Sequence, residues 1–344
     1  MWQTIGQDHI IAFLKDAINH AALSHAYLFV GPPHVGKMTL ALDLARALNC
    51  SSSEPPCGTC RICERISEGK YSDVVVIDKN TGRDSKDRKK ASEIGIDAIR
   101  EYLQKNSSLP PYEGKCKVYI IDEAHMMSIE ASNCLLKTLE EPSPNVVIIL
   151  LTAEEKMLLP TVISRCQRLE LKPVKIIQIE ERLSRNRDLS PEKVSLLARL
   201  SGGCIGWAIS ASGDDTSLQL RKARLESFNS LIYQGWYERL NFIQQMPSDR
   251  NSVADMIRLW TSWYRDVMLV KYGCESLVIN IDYIPELKSH ADILTISEIT
   301  DFLGCMNDAM INLNYNVNLH LQLELLMLDM PKKEKKAGVM FSAV

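Results

Sequence analysis

The sequence predicts an α/β fold, a parallel sheet with flanking helices built around a phosphate loop. A cysteine module interrupts it, and a wholly helical C-terminal region follows. Three observations carry that expectation. The segment Gly31-Pro-Pro-His-Val-Gly36-Lys37 lies between an apolar run, Ala26 to Val30, and a helical pattern, and loops of this type cradle phosphate with backbone N–H groups, a lysine and the positive end of the following helix. A second apolar run, Lys117 to Ile121, delivers Asp122 and Glu123 at its end, where ligands sit in open parallel sheets. Beyond Asp214 the apolar residues recur at three- and four-residue spacing, which reads as helix.

Taken in order, residues 9–23 carry Ile10, Ile11, Leu14, Ala17, Ile18 and Leu23 at helical spacing, and Ser24 to Val30 forms the first buried strand. The phosphate-loop pattern then asks for Ser or Thr after the lysine, whose hydroxyl holds the magnesium of a nucleotide. Met38 stands there. A thioether is soft and uncharged, whereas magnesium demands hard oxygen, so Met38 disfavours Mg2+. Thr39 reaches a metal only through a shift of register, and Pro32 and Pro33 remove two early N–H donors while leaving the later ones. Binding of ATP or ADP by Gly31, Gly36, Lys37, Met38 and Thr39 is therefore a separate question from hydrolysis. Leu40, Ala41, Leu44 and Leu48 continue a helix to about Cys50.

Cys50, Cys57, Cys60 and Cys63 follow, a C-x6-C-x2-C-x2-C cluster matching a tetrahedral zinc site. Four sulfur ligands leave no open position, so such a zinc is structural. An iron–sulfur cluster is the rival, but the C-x3-C-P element is missing; four unrelated thiols are the remaining alternative. Val74 to Ile77 reads as a strand buried on both faces. The charged stretch Lys79 to Lys90 is either a solvated loop or a basic contact for nucleic acid or a partner. Ile96, Ile99, Tyr102 and Leu103 mark the next helix.

At the end of the Lys117–Ile121 strand, Asp122 suits a metal held through water and Glu123 suits polarisation of an attacking water. His125 reads as an ordinary polar residue. Asn145 to Thr152 is a further buried strand, and Thr152 either reaches the γ-phosphate region with its hydroxyl or serves as a turn residue.

Composition sets outer bounds. A length of 344 residues allows two or three domains, and 46% hydrophobic with 24% charged residues is ordinary for a globular protein. With 40 basic and 43 acidic residues the net charge is only −3, so any DNA contact falls to a local patch or a partner. No apolar run has the length of a membrane span and the N-terminus lacks signal-peptide regions. The ten cysteines are then expected as thiols and metal ligands in a cytoplasmic protein.

Several segments together resemble the clamp-loader branch of the AAA+ ATPases. They are Ile5-Gly6-Gln7, Ser24-His25-Ala26-Tyr27-Leu28-Phe29, the phosphate loop, the four cysteines, Ile121-Asp122-Glu123-Ala124, Asn133-Cys-Leu-Leu-Lys137-Thr-Leu-Glu-Glu141-Pro142 and Ser164-Arg165-Cys166. The resemblance implies an AAA+ P-loop domain over residues 1–171 with a zinc module at 50–63, a small helical lid at 172–212, a helical collar domain at 213–331 and a tail at 332–344. It implies that Arg165 is an arginine finger reaching a neighbour's ATP. It also implies gamma/tau-type and delta-type partners in a ring that opens a sliding clamp and places it on primed DNA, with no membrane role.

One further position departs from that pattern. Where the family carries an arginine that senses the γ-phosphate, this chain has Trp207, and an indole offers one N–H and no charge. Met38 and Trp207 together point to a stator-like subunit with little or no hydrolysis of its own, in which Glu123 is vestigial. The alternative is an ATP-hydrolysing motor subunit with an unusual phosphate loop; a more distant one is a zinc-bearing AAA+ protein of another nucleic-acid process. Trp260, Trp263, Tyr264 and Val267 are expected in a core or subunit interface, and the last helix, from Asn316, has apolar residues on more than one face.

Overall fold

The computed structural model describes residues 1–82, 93–246, 249–313, 315 and 317–333. Most of the charged Lys79–Lys90 stretch and the tail from 334 onward lie outside the described residues.

Strands β1 (Ala26–Val30), β2 (Val74–Ile77), β3 (Lys117–Ile121), β4 (Val146–Thr152) and β5 (Gln167–Glu170) form one sheet in the order β2-β3-β4-β1-β5. Every pairing is parallel. All residues of β1, β3 and β4 are buried, and successive side chains go to opposite faces. Tyr27, Phe29, Val118, Ile120, Ile149 and Leu151 join one apolar cluster with Ile10 and Leu14 of helix α1 (Asp8–Asn19) and Leu40 and Leu44 of helix α2 (Lys37–Asn49). Ala26, Leu28, Tyr119, Ile121, Ile148 and Leu150 join the other, with Ile99, Leu103, Leu135 and Leu139. Helical cover on both faces is why the central strands read as unbroken apolar runs.

Two sequence expectations are corrected. β2 is an edge strand with a single neighbour and is only partly covered on its faces: Ile77 is buried, Val74 and Val75 are half-buried and Val76 is 41% exposed. The first helix ends at Asn19 rather than running to Leu23, because Ala21 takes a left-handed backbone (φ 52°) that an α-helix does not tolerate.

Two compact units emerge, Met1–Asn186 with Ser201–Ile209, and Arg187–Leu200 with the described residues from 210 onward. In the second unit, the long helix Arg250–Lys271 is capped by Asp249, whose side chain accepts from the Ser252 N–H. Its inner face places Trp260, Trp263, Tyr264 and Val267 in the core, with Phe228 stacked on Trp260 at 4.5 Å between centroids. Leu319–Asp329 forms the last helix, burying Leu323, Leu326 and Met327 and exposing Leu321, Leu325 and Leu328. Arg239, itself buried, donates to the carbonyls of Leu231, Met327, Met330 and Pro331, satisfying groups that a helix C-terminus leaves free. Among the described residues, no helix is long and apolar enough to cross a membrane.

Candidate nucleotide site and metal centre

The strand order sets the site. β4 lies between β3 and β1, so Thr152 at its C-terminal end stands between Asp122, which follows β3, and Gly31, which follows β1. The Gly31 N–H donates to the Thr152 carbonyl at 3.2 Å. The loop then turns through His34 (φ 60°) and Gly36 (φ 108°) into α2. Gly36 suits a left-handed position that costs other residues energy.

Gly36, Lys37, Met38, Thr39, Asp122, Glu123 and Thr152 line one cavity of about 320 Å³, joined by Pro33, His34, His125, Leu151, Ala153 and Gly206. That volume falls at the lower end of small-molecule sites, which run from roughly 300 to 1,000 Å³. Gly31, Arg165 and Trp207 are outside this lining. Gly31 is buried where an added Cβ would stand 2.7 Å from the Leu171 carbonyl oxygen.

Lys37 does not extend freely into the cavity. Its Nζ donates to the loop's own carbonyls, Gly31 at 2.7 Å and Pro32 at 2.8 Å. Burial lowers its pKa, opposed by the carboxylate of Asp122 among its neighbours. Burial likewise raises the pKa of Asp122, assisted by the charge of Glu123 and opposed by the Glu123 backbone N–H and by Lys37. Glu123, exposed and in a left-handed conformation (φ 47°), pairs with Lys79 at 3.4 Å. Met38 lines the cavity and also packs against the apolar cluster of α1 and α2, so its side chain belongs partly to the core.

His125 and Gly206 are among the members that sequence reasoning missed. His125 Nδ1 lies 3.2 Å from Thr152 Oγ1. The Gly206 N–H donates to the His34 carbonyl at 2.8 Å, and an added Cβ would stand 2.9 Å from that oxygen. The close spacing of His125 to Asp122 and Glu123 was the available signal for the first. Nothing local in the sequence announces the second, because it joins residues far apart in the chain.

Arg165 follows the short helix Pro160–Ile163 and is half-exposed. Its Nη2 pairs with Glu140 at 2.7 Å and its Nη1 donates to the Thr161 carbonyl at 2.9 Å.

The four cysteines converge. Their sulfurs all lie within 4.8 Å of one another, with 3.6 Å from Cys50 to Cys57 and 4.0 Å from Cys50 to Cys60 and from Cys57 to Cys63. A tetrahedron with zinc–sulfur bonds of about 2.3 Å has edges of about 3.8 Å, so these thiols can hold zinc, and the separations are far beyond a disulfide bond of about 2.05 Å. Backbone N–H groups of Ser52, Cys60 and Cys63 point to the sulfurs of Cys50, Cys57 and Cys60. Backbone donation from Thr59 and Cys60 pulls Cys57 down to about 6, a value that favours thiolate, whereas burial pushes Cys63 up to about 12.

α2 carries the module. Buried Asp43 accepts from the Gln3 and Thr4 N–H groups and the Thr4 hydroxyl, and pairs with buried Arg46. Arg46 in turn donates to Ser67 of helix α3 (Arg61–Ser67), which begins just after Cys60. Asn49 Oδ1 accepts from the Lys115 and Cys116 N–H groups, and Lys115 Nζ donates to the Cys50 carbonyl at 2.9 Å.

A phosphate loop after β1, an acidic pair after β3 and a hydroxyl at the end of the strand between them define the class: a P-loop protein of the AAA+ type, extended by a helical C-terminal unit. More narrowly, the chain belongs to the delta-subunit family of DNA polymerase III. The family model described as DNA polymerase III, delta subunit, matches residues 6–175, and that described as DNA polymerase III, delta subunit, C terminal, matches residues 215–332. The chain is 33% identical over 303 residues to DNA polymerase III subunit delta' of Bacillus subtilis, covering 86% of this chain and 87% of that one. It is also 33% identical over 290 residues to subunit tau of the same organism, covering 78% of this chain but only 49% of tau, so it spans about half the length of that relative. A solved DNA polymerase III gamma subunit-related protein from Thermotoga maritima aligns over 92% of this chain and 97% of its own, at 18% identity and a TM-score of 0.42.

Proposed function

We propose that the chain is a clamp-loader subunit of the delta prime type, a stator-like member of a ring with gamma/tau and delta subunits that loads the sliding clamp onto primed DNA. One observation carries the choice of stator over motor. Met38, half-packed into the core, occupies the position from which a hydroxyl would hold magnesium. The neighbouring geometry agrees with it. Lys37 is bonded to Gly31 and Pro32, Glu123 is paired with Lys79, and Trp207 supplies no charge where the family's sensing arginine would act.

In this reading Gly36, Lys37, Thr39 and Asp122 hold ATP or ADP without efficient turnover, and the Thr152 hydroxyl serves the γ-phosphate region, which ADP lacks. Arg165 is the finger offered to the neighbouring subunit's ATP, a role suited to a fixed charge on a planar fork. The exposed Leu321, Leu325 and Leu328 of the last helix serve the collar contacts between subunits. Structural zinc at Cys50, Cys57, Cys60 and Cys63 fixes the module. The motor reading retains its own support in the equal identity to tau and in the presence of Glu123.

The test is kinetic. The purified chain is expected to show negligible DNA-stimulated ATPase, while Arg165→Ala lowers the ATPase of the reconstituted complex at least several-fold. Turnover by the isolated chain comparable to a working AAA+ subunit would remove the stator assignment, and an unchanged rate in the Arg165→Ala complex would remove the finger.

A further inference from the structure

Thr152 is 1% exposed at the end of β4 and lines the cavity. Its Oγ1 accepts from the Glu154 backbone N–H at 3.0 Å and lies 3.2 Å from His125 Nδ1. A threonine hydroxyl has one proton and two acceptor sites, and a neutral imidazole nitrogen either donates or accepts according to its tautomer. Glu154 fills one acceptor site. If Nδ1 accepts, the hydroxyl proton is committed to the ring and the oxygen offers the cavity no donor, which is unfavourable beside a phosphate. If Nδ1 carries the proton, it fills the second acceptor site, and the hydroxyl can only donate outward.

We propose that His125 is a positioning residue of this site, donating from Nδ1 to Thr152 Oγ1 and so aiming the Thr152 hydroxyl proton at the terminal phosphate of a nucleoside triphosphate. The inference rests on the cavity being a nucleotide site and adds its ligand preference. A loop of this kind cradles the inner phosphates with its backbone. A hydroxyl at the end of the neighbouring strand then meets the phosphate beyond them. A triphosphate uses that contact and a diphosphate leaves it idle, so His125 acting through Thr152 discriminates between the two.

The experiment titrates the full chain with ADP and with the slowly hydrolysed analogue ATPγS. Wild type is expected to prefer ATPγS. His125→Leu and Thr152→Val are each expected to cut that preference by about three- to tenfold, the range of one modest hydrogen bond, with ADP affinity kept within about twofold. The double variant should lose no more than either single change, as coupled partners do, and Thr152→Ser, which keeps the hydroxyl, should retain the preference. Unchanged preference in His125→Leu, equal loss of ADP and ATPγS affinity, or losses that multiply in the double variant would each overturn the inference while leaving the nucleotide site standing. Failure of wild type to bind either nucleotide would overturn the nucleotide-site reading itself, and this inference with it.

Discussion

Arg165 and Glu140 form an ion pair within one chain, Nη2 to Oε1 at 2.7 Å, with the two side chains 36% and 52% exposed. A pair this open to water contributes little, about 0–1 kcal/mol, so the guanidinium is oriented by Glu140 without being locked to it. Glu140→Gln is expected to leave thermal stability unchanged within about 0.5 kcal/mol. If Arg165 is the finger proposed above, the same change should raise ATPase activity in the reconstituted complex, because the guanidinium would no longer have to leave a carboxylate to reach a phosphate. A fall in that rate would show that Glu140 presents the arginine rather than competing for it.

Met38→Thr restores a hydroxyl where a magnesium ligand is expected. Nucleotide affinity should become dependent on Mg2+ by several-fold, as titrations with and without the ion would show. Turnover should remain negligible until Trp207→Arg is added. Detectable hydrolysis by Met38→Thr alone would trace the proposed lack of turnover to this one side chain.

Gly206→Ala puts a methyl group 2.9 Å from the His34 carbonyl oxygen, on backbone rather than on a flexible side-chain tip. The contact between residues 201–209 and the phosphate loop must give, at a cost of about 1–3 kcal/mol. Hydrogen exchange should accelerate at Gly206, whose N–H is bonded to His34 at 2.8 Å, with the effect confined to the first unit.

Zinc at the four cysteines is expected at about one equivalent by elemental analysis under reducing conditions. Cys60→Ser or prolonged chelation should abolish it and destabilise the first unit, by several kcal/mol where binding and folding are linked. Unaltered melting after complete metal removal would count against a structural role.

His290 is buried and its Nδ1 accepts from Trp263 Nε1 at 3.1 Å. Burial lowers its pKa to about 4 from an ordinary 6.5. Between those values the unfolded chain binds the proton and the folded chain does not, so this residue's contribution makes stability fall as pH drops from 6.5 toward 4, by about 3 kcal/mol in all. Thermal melting of His290→Gln should lose about that much pH dependence in this window.

The sequence was most legible where chemistry and chain order coincide. The phosphate loop, Asp122, Glu123 and Thr152 each end an unbroken apolar run, and parallel strands bring such ends to one edge of a sheet. The cysteine cluster was equally legible because its ligands are close in sequence. The same apolar continuity misled at Val74 to Ile77, since run length does not distinguish a central strand from an edge strand; pairing order does. Met38 was seen as a missing hydroxyl but not as a packing residue, and the His125–Thr152 and Gly206–His34 contacts depend on residues brought together only by the sheet and its connections. Arg165 could be named from its motif, whereas its partner Glu140 lies in a different element and follows from tertiary packing alone.

α2 begins at Lys37 of the phosphate loop and ends at Asn49, immediately before the first cysteine of the module. Both termini are anchored, and Asp43 and Arg46 tie its middle to the N-terminal segment and α3. Each helical residue advances the chain by about 1.5 Å and rotates it by about 100°. The length of α2 therefore sets an angular phase: one residue inserted or deleted would swing the cysteine module around the helix axis relative to the phosphate loop, while substitutions on the outer face would leave that bearing untouched.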